Sequence, residues 1–138
     1  MNIVALSESV AVSGQIQPAD LKEVAAAGYK VVVNNRPDGE EGGQPSNADV
    51  EAVARQLGLE YHYMPVTAMD FPGADFDAFT DLLDDPEAPV FAFCRSGTRC
   101  TNLWVASREA GELDAAVAVA QRLGYDLGMA ARHLSAKP

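Results

Sequence analysis

Apolar residues in this chain fall into short runs separated by polar or glycine-containing breaks, and their spacing alternates between strand-like and helix-like. Ile3–Leu6 and Val10–Ser13 predict two short strands joined by a Ser-Glu-Ser turn. Pro18 suits the first position of a helix running to Ala27, with Leu21, Val24 and Ala25 on its apolar face and Gly28 ending it. Tyr29–Asn34 is the clearest β-branched run and predicts a central strand. A long polar loop, Asn35–Pro45, follows; loops of that length in a compact domain are often functional. Ser46 caps a helix over Asn47–Leu57, whose inner face is Val50, Val53, Ala54 and Leu57. Tyr61–Val66 predicts the next strand, and Thr67–Gly73 a second loop carrying Asp70. A helix over Ala74–Leu83 turns Phe76, Phe79, Leu82 and Leu83 inward. Pro89–Phe93 is a buried strand, followed by a helix from about Thr98 to Ala110 and two more over Leu113–Leu123 and Asp126–Leu134.

Strands and helices thus alternate, which predicts an α/β fold with a mainly parallel central sheet and helices on both faces. In such sheets the site lies beyond the carboxyl ends of the strands. The loops beginning at Asn35, Thr67 and Cys94 all leave strands at that edge and are expected to face one another.

The third of these loops, Cys94-Arg95-Ser96-Gly97-Thr98-Arg99, carries the candidate chemistry. A strand, a tight loop and a helix in succession form an anion cradle. Backbone N–H groups converge, and the helix contributes the positive end of its dipole. Gly97 allows the turn. A cysteine at the floor of such a cradle loses its proton readily, because the N–H groups and Arg99 stabilise the thiolate. Arg99 can fork two hydrogen bonds onto an oxyanion. Cys94 and Arg99 are therefore the candidate nucleophile and clamp, with Arg95, Ser96, Gly97 and Thr98 as substrate-binding positions. The alternative is a buried structural cysteine beside unrelated arginines.

At 138 residues and 48% hydrophobic, the chain can bury one sizeable core, so a single domain over residues 1–138 is expected. The formal net charge of −10 argues against nucleic acid as a partner and makes the loop arginines a local positive spot. The two cysteines flank Arg99 and suit neither a disulfide framework nor, with no histidine nearby, a zinc site. No secretory signal or span of transmembrane length is read, so the expected setting is soluble and cytoplasmic, without a membrane partner. No cofactor or metal is expected.

Four separated stretches carry a resemblance: Val12–Pro18, Asn34–Glu40, Met64–Val66 and Phe93–Arg99. Together they resemble the phosphatase-like domain of the beta-lactamase hydrolase-like proteins, which is similar in fold to tyrosine and dual-specificity phosphatases. The resemblance covers nearly the whole chain. It implies a central sheet of four to five strands, with Cys94 at the floor of the anion loop and Arg99 as its clamp. Cys94 and Arg99 are separated by four residues, one fewer than in tyrosine phosphatases. Phe93 stands where those enzymes usually have His, and Cys100 where they have Ser or Thr. The Cys94–Arg99 hexapeptide instead resembles the active loop of single-domain rhodaneses, which move sulfane sulfur.

Two enzymatic readings follow. In the preferred one, sulfur transfer, the Cys94 thiolate takes sulfane sulfur from thiosulfate or a glutathione persulfide, and a thiol or cyanide collects it. The leaving group is a weak base, so no general acid is required. In the alternative, a phosphate monoester is hydrolysed through a Cys94 phosphoenzyme, and Asp70 is the carboxylate best placed to protonate the leaving oxygen. The favoured reading of Asp70 itself is a turn or helix-flanking aspartate. A third reading is a binding module that recognises anionic groups without turnover. All three take a small anionic ligand. Arg36 is open to substrate contact or to pairing with Glu40 or Glu41. Cys100 is read as packing in the first helical turn, with a resolving-thiol role as the alternative. His62, His133 and Trp104 are read as structural: a strand residue, a helix-end residue and a core anchor.

Overall fold

A computed structural model of the chain describes residues 1–136. The strands are β1 (Val4–Ala5), β2 (Val10–Ser13), β3 (Val31–Asn34), β4 (Glu60–Tyr63) and β5 (Val90–Phe93). They form one five-stranded sheet in the order β1-β2-β5-β3-β4. β1 runs antiparallel to β2, and every other neighbouring pair is parallel. The helices are α1 (Leu21–Ala26), preceded by a 3-10 turn at Pro18–Asp20, then α2 (Asn47–Gln56), α3 (Phe76–Leu82), α4 (Thr98–Ala106), α5 (Ala110–Arg122) and α6 (Gly128–Ser135).

Strands in a parallel sheet covered on both faces lose the in-out alternation of polarity and read as continuous apolar runs. β2, β3 and β5 are buried at every position. Successive side chains still point to opposite faces, and this divides the core. Val31, Val33, Val90 and Ala92 join Leu103, Trp104 and Phe79 on the face covered by α3, α4, α5 and α6. Val32, Phe91 and Phe93 pack with Leu21, Val24, Val50 and Ala54 of α1 and α2 on the other.

Register brings the site together. Ser13 of β2 and Asn34 of β3 both lie opposite Phe93 of β5. The residues that follow these three positions emerge side by side. Gln15 N–H donates to the Arg95 carbonyl (3.2 Å), and Asn35 N–H to the Phe93 carbonyl (2.9 Å).

Some boundaries differ from the sequence reading. The strand expected to reach Val66 ends at Tyr63. Met64 and Val66 N–H still bond the carbonyls of Asn34 and Asn35, but Pro65 between them has no N–H to continue a ladder. The helix expected to reach Ala110 stops at Ala106, where the Ser107 hydroxyl caps the Trp104 carbonyl (2.6 Å) and the Arg108 guanidinium stacks over the Trp104 ring (5.5 Å to its centroid). Glu109 is extended, and α5 begins at Ala110, earlier than the expected Leu113. Gly111 falls in that first turn.

Candidate active site

Cys94 follows β5 directly and is fully buried, with its own N–H donating to the Ser13 carbonyl (3.3 Å). The loop then turns through Gly97 at φ +87°. A Cβ on Gly97 would lie 3.3 Å from the Tyr125 hydroxyl and 3.4 Å from Ser13 backbone, so glycine is needed for both conformation and space. Gly14 is needed for proximity: a Cβ there would sit 3.0 Å from the Arg95 carbonyl oxygen.

The loop aims donors at sulfur. Gly97 N–H donates to Cys94 Sγ (3.1 Å). The Cys100 thiol and the N–H groups of Cys100 and Ser96 lie near enough to stabilise charge on the same sulfur. These donors, the Cys100 thiol first, outweigh burial and bring the Cys94 thiol down to about 6. Cys100 responds in the opposite sense. Its complete burial, and then its place beside Cys94, push it well above the ordinary thiol value. At neutral pH the pair is thus a thiolate held by a thiol. Cys100 packs in the first turn of α4, as expected, and in addition its thiol stabilises charge on the nucleophile.

The remaining loop positions divide. Ser96 and Thr98 bond each other through their hydroxyls (3.0 Å). Arg95 is 64% exposed, with Glu41 3.6 Å away. Arg99, on α4, is only 15% exposed in its side chain. Its Nη1 donates to Glu40 Oε2 (2.9 Å) and to the Val66 carbonyl (2.9 Å), and its Nη2 to Glu40 Oε1 (2.8 Å). Arg99, and then Arg36, hold the Glu40 carboxyl below its usual range against the opposing effect of burial. The positive spot read from the sequence is therefore already faced by Glu40 and Glu41, which the register of β3 and β5 carries to the same edge.

Arg36 is 1% exposed. Its Nε donates to Glu40 Oε1 (2.9 Å), Nη1 to Gln15 Oε1 (3.0 Å) and Nη2 to Glu41 Oε1 (3.5 Å). Of the two roles left open for Arg36, the structure shows the pairing, with all three guanidinium nitrogens engaged. The backbone beneath is fixed by Asn34, whose Oδ1 accepts the Arg36 N–H (2.9 Å) and whose Nδ2 donates to the Tyr61 hydroxyl (3.1 Å).

Asp70 is exposed and closes its own loop: Oδ1 accepts from Thr67 N–H (2.7 Å) and the Thr67 hydroxyl (3.0 Å). The turn role is therefore real, and Oδ2 has no hydrogen-bond partner among the described residues. The Thr67 loop does reach the site, since Arg99 bonds the Val66 carbonyl at its root. His62 pairs with Glu60 (2.6 Å), and the His133 ring sits edge-on to Phe71 and Phe76. Sequence reasoning missed Glu40 as the partner of Arg99 and Tyr125 as a neighbour of the loop. The Arg36–Glu40 spacing was the one available signal.

Residues 2–111 match the family described as the beta-lactamase hydrolase-like protein, phosphatase-like domain. The chain belongs to this family. A beta-lactamase hydrolase-like protein of Agrobacterium fabrum is 39% identical over 105 residues, which are 76% of this chain and 24% of that protein. The phosphatase-like domain here thus spans about a quarter of the length of that curated relative. The crystal structure of a proposed phosphatase from Neisseria meningitidis Z2491 is 37% identical, with a TM-score of 0.80, covering 97% of this chain and 96% of that one. Pseudomonas aeruginosa TpbA, crystallised in complex with pTyr, is 18% identical over 98% of this chain and 81% of its own, with a TM-score of 0.66. That likeness is one of fold, and it places the phosphatase-like domain among tyrosine-phosphatase-like architectures. No helix among the described residues is long and apolar enough to cross a membrane.

Proposed function

We propose that this domain hydrolyses phosphate monoesters through a Cys94 phosphoenzyme. The observation that carries the reading is the buried Cys94 sulfur, held as a thiolate near neutral pH by loop N–H groups and the Cys100 thiol, beside an arginine fork. Sulfur transfer is the reading preferred from the sequence, because the Cys94–Arg99 hexapeptide resembles the active loop of single-domain rhodaneses. The family and its neighbours support phosphate chemistry better, and TpbA, of the same fold, was crystallised with a phosphorylated tyrosine.

In the first step the Cys94 thiolate attacks phosphorus, an S–P bond forms, and the ester O–P bond breaks. The loop N–H groups and Arg99 bind the equatorial oxygens, as preorganised donors aimed where charge develops. The departing oxygen takes a proton from Asp70. In the second step water attacks phosphorus and gives a proton to the Asp70 carboxylate, which restores the acid, and the S–P bond breaks, returning phosphate and the thiolate. Cys100 stands where tyrosine phosphatases carry a hydroxyl, and its thiol donates to the leaving sulfur.

The need for an acid separates this reading from sulfur transfer. A positioned carboxylic acid supplies a factor of about 10² to 10⁴ when an alkoxide must leave. Asp70→Asn is therefore expected to cripple hydrolysis of an alkyl phosphate while sparing nitrophenyl phosphate, whose leaving group is a weak base. Cys94→Ser is expected to abolish both. Brisk thiosulfate-dependent sulfur transfer by the parent, with no ester hydrolysis, would restore the sulfur-transfer reading.

A further inference from the structure

A groove of about 610 Å³ lies at the edge of the sheet opposite to Cys94. Its walls are the turn between β1 and β2, the turn after α3, the end of α4 and one face of α5. The two turns precede β2 and β5 and so lie at the amino edge of the parallel strands, where the Ser9 carbonyl accepts the Val90 N–H (2.8 Å). The Cys94 loop follows β5 at the carboxyl edge. α4 begins in that loop and ends at the groove, a run of about 13 Å.

The groove is apolar inside and acidic at its rim. On α5, Glu112, Ala115, Ala116 and Val119 recur at helical spacing, and the alanines leave room that larger side chains would fill. Leu6, Pro86 and Trp104 complete the apolar lining. Trp104 is 4% exposed, and its Nε1–H has no hydrogen-bond partner among the described residues. Buried polar groups are nearly always paired, so an unpaired one in a groove wall calls for a reason. Three carboxylates, of Glu8, Asp84 and Glu112, line the groove with one guanidinium, that of Arg108. Arg108 is already engaged. Asp84 accepts from its Nη1 and Nη2 (both 2.9 Å), the Ser107 hydroxyl from Nη2 (3.0 Å) and the Trp104 carbonyl from Nε (3.2 Å). Asp84 meets it from left-handed backbone, at φ +70°. Glu8 and Glu112 are exposed, and neither carboxylate has an ionic or hydrogen-bonded partner among the described residues.

We infer that this groove is a second binding site, for a small organic cation: an ammonium group joined to an apolar body. The volume is that of a small-molecule pocket. The apolar body fits the lining of Leu6, Ala115 and Val119, and the ammonium answers the unpaired charge of Glu8 and Glu112. The excess of carboxylates over Arg108 selects the sign of the ligand. The Cys94 loop takes anions, so the two ends of the molecule take ligands of opposite charge. The inference does not rest on the reaction at Cys94.

Trp104 is the only tryptophan of the chain, so its emission reports on the groove. The probes are phenethylammonium and hexylammonium, with 2-phenylethanol as the neutral analogue and phenylacetate as the anionic one. A saturable change in Trp104 emission is expected with both ammonium compounds. The alcohol is expected to bind roughly tenfold more weakly, the scale of losing attraction to two exposed carboxylates, and phenylacetate more weakly still. Added salt should weaken the ammonium compounds and not the alcohol. Glu8→Gln/Glu112→Gln is expected to bring ammonium binding down to the level of the alcohol. Ala115→Phe, a change at an exposed position that fills the groove, is expected to abolish binding. Both variants should keep the melting temperature and nitrophenyl phosphate turnover of the parent. Should Ala115→Phe not fold, the glutamate variant decides. Cys94→Ser is expected to bind the ammonium compounds as the parent does, which places the signal outside the anion loop. No saturable change with either ammonium compound would overturn the inference. So would equal binding of the alcohol or phenylacetate, or ammonium binding that survives undiminished in either variant. A groove that takes a lysine-containing peptide and neither ammonium compound would overturn it in favour of a protein partner.

Discussion

Each atom around Cys94 has a distinct task. The sulfur is buried yet ionises easily because its neighbours stabilise its charge: the Cys100 thiol and the N–H groups of Cys100, Ser96 and Gly97, the last bonded to it directly. Cys100 is buried among the same groups but is held protonated. The two cysteines therefore differ in reactivity. Alkylation of Cys94 by iodoacetamide is expected to rise with a midpoint near the value of about 6 and to run well ahead of Cys100, as read by peptide mass after labelling across pH. Equal slow labelling of both would contradict the cradle. Linkage gives a second readout. The folded-state thiol is lowered, so its contribution to stability is fully present above the unfolded-state thiol value. That contribution is lost as pH falls toward the folded value. Between about pH 8 and pH 6 the melting temperature of the parent is expected to fall relative to Cys94→Ser. Parallel curves would mean that sulfur titrates alike in both states.

At the scale of elements, the loop between β5 and α4 works because its neighbours are fitted to it. Gly97 adopts φ +87° with the Tyr125 hydroxyl and Ser13 backbone packed against it. Gly97→Ala is expected to cost about 1 to 2 kcal/mol from left-handed backbone alone, with a further cost for crowding. It should also raise the midpoint of Cys94 alkylation, since the Gly97 N–H would be displaced from sulfur. A Gly97→Ala protein of unchanged melting temperature and unchanged midpoint would show that the turn is not under the constraint described. Most of these elements were legible in the sequence. The segments Val31–Val33 and Val90–Phe93 within the expected strands read as continuous apolar runs because both faces of the sheet are covered there. Boundaries were less legible where one residue overrides a pattern. Pro65 ends the β4 ladder by lacking an N–H, and Ser107 ends α4 by capping it.

For the whole molecule, topology does what local sequence cannot announce. Placing β5 between β2 and β3 brings the residues after Ser13, Asn34 and Phe93 to one edge. Cys94, Gly97 and Arg99 could be read as a unit because they are adjacent in the chain. The Glu40–Arg99 pair could not, because its partners are 59 residues apart and meet only through strand register. The role of Arg36 stayed open for the same reason: burial beneath Glu40 is a property of the packed sheet edge. The reaction was the least legible. Sulfur transfer and phosphate hydrolysis share a thiolate, an anion cradle and an arginine, and they differ in the bond that sulfur makes. The most direct measurement is therefore the mass of the Cys94 peptide after rapid acid quench during turnover of nitrophenyl phosphate, with thiosulfate treatment in parallel. A phosphoryl adduct on Cys94 that appears with substrate and is absent in Cys94→Ser is the predicted result. A Cys94 persulfide from thiosulfate, with no phosphoryl adduct from the ester, would contradict the account.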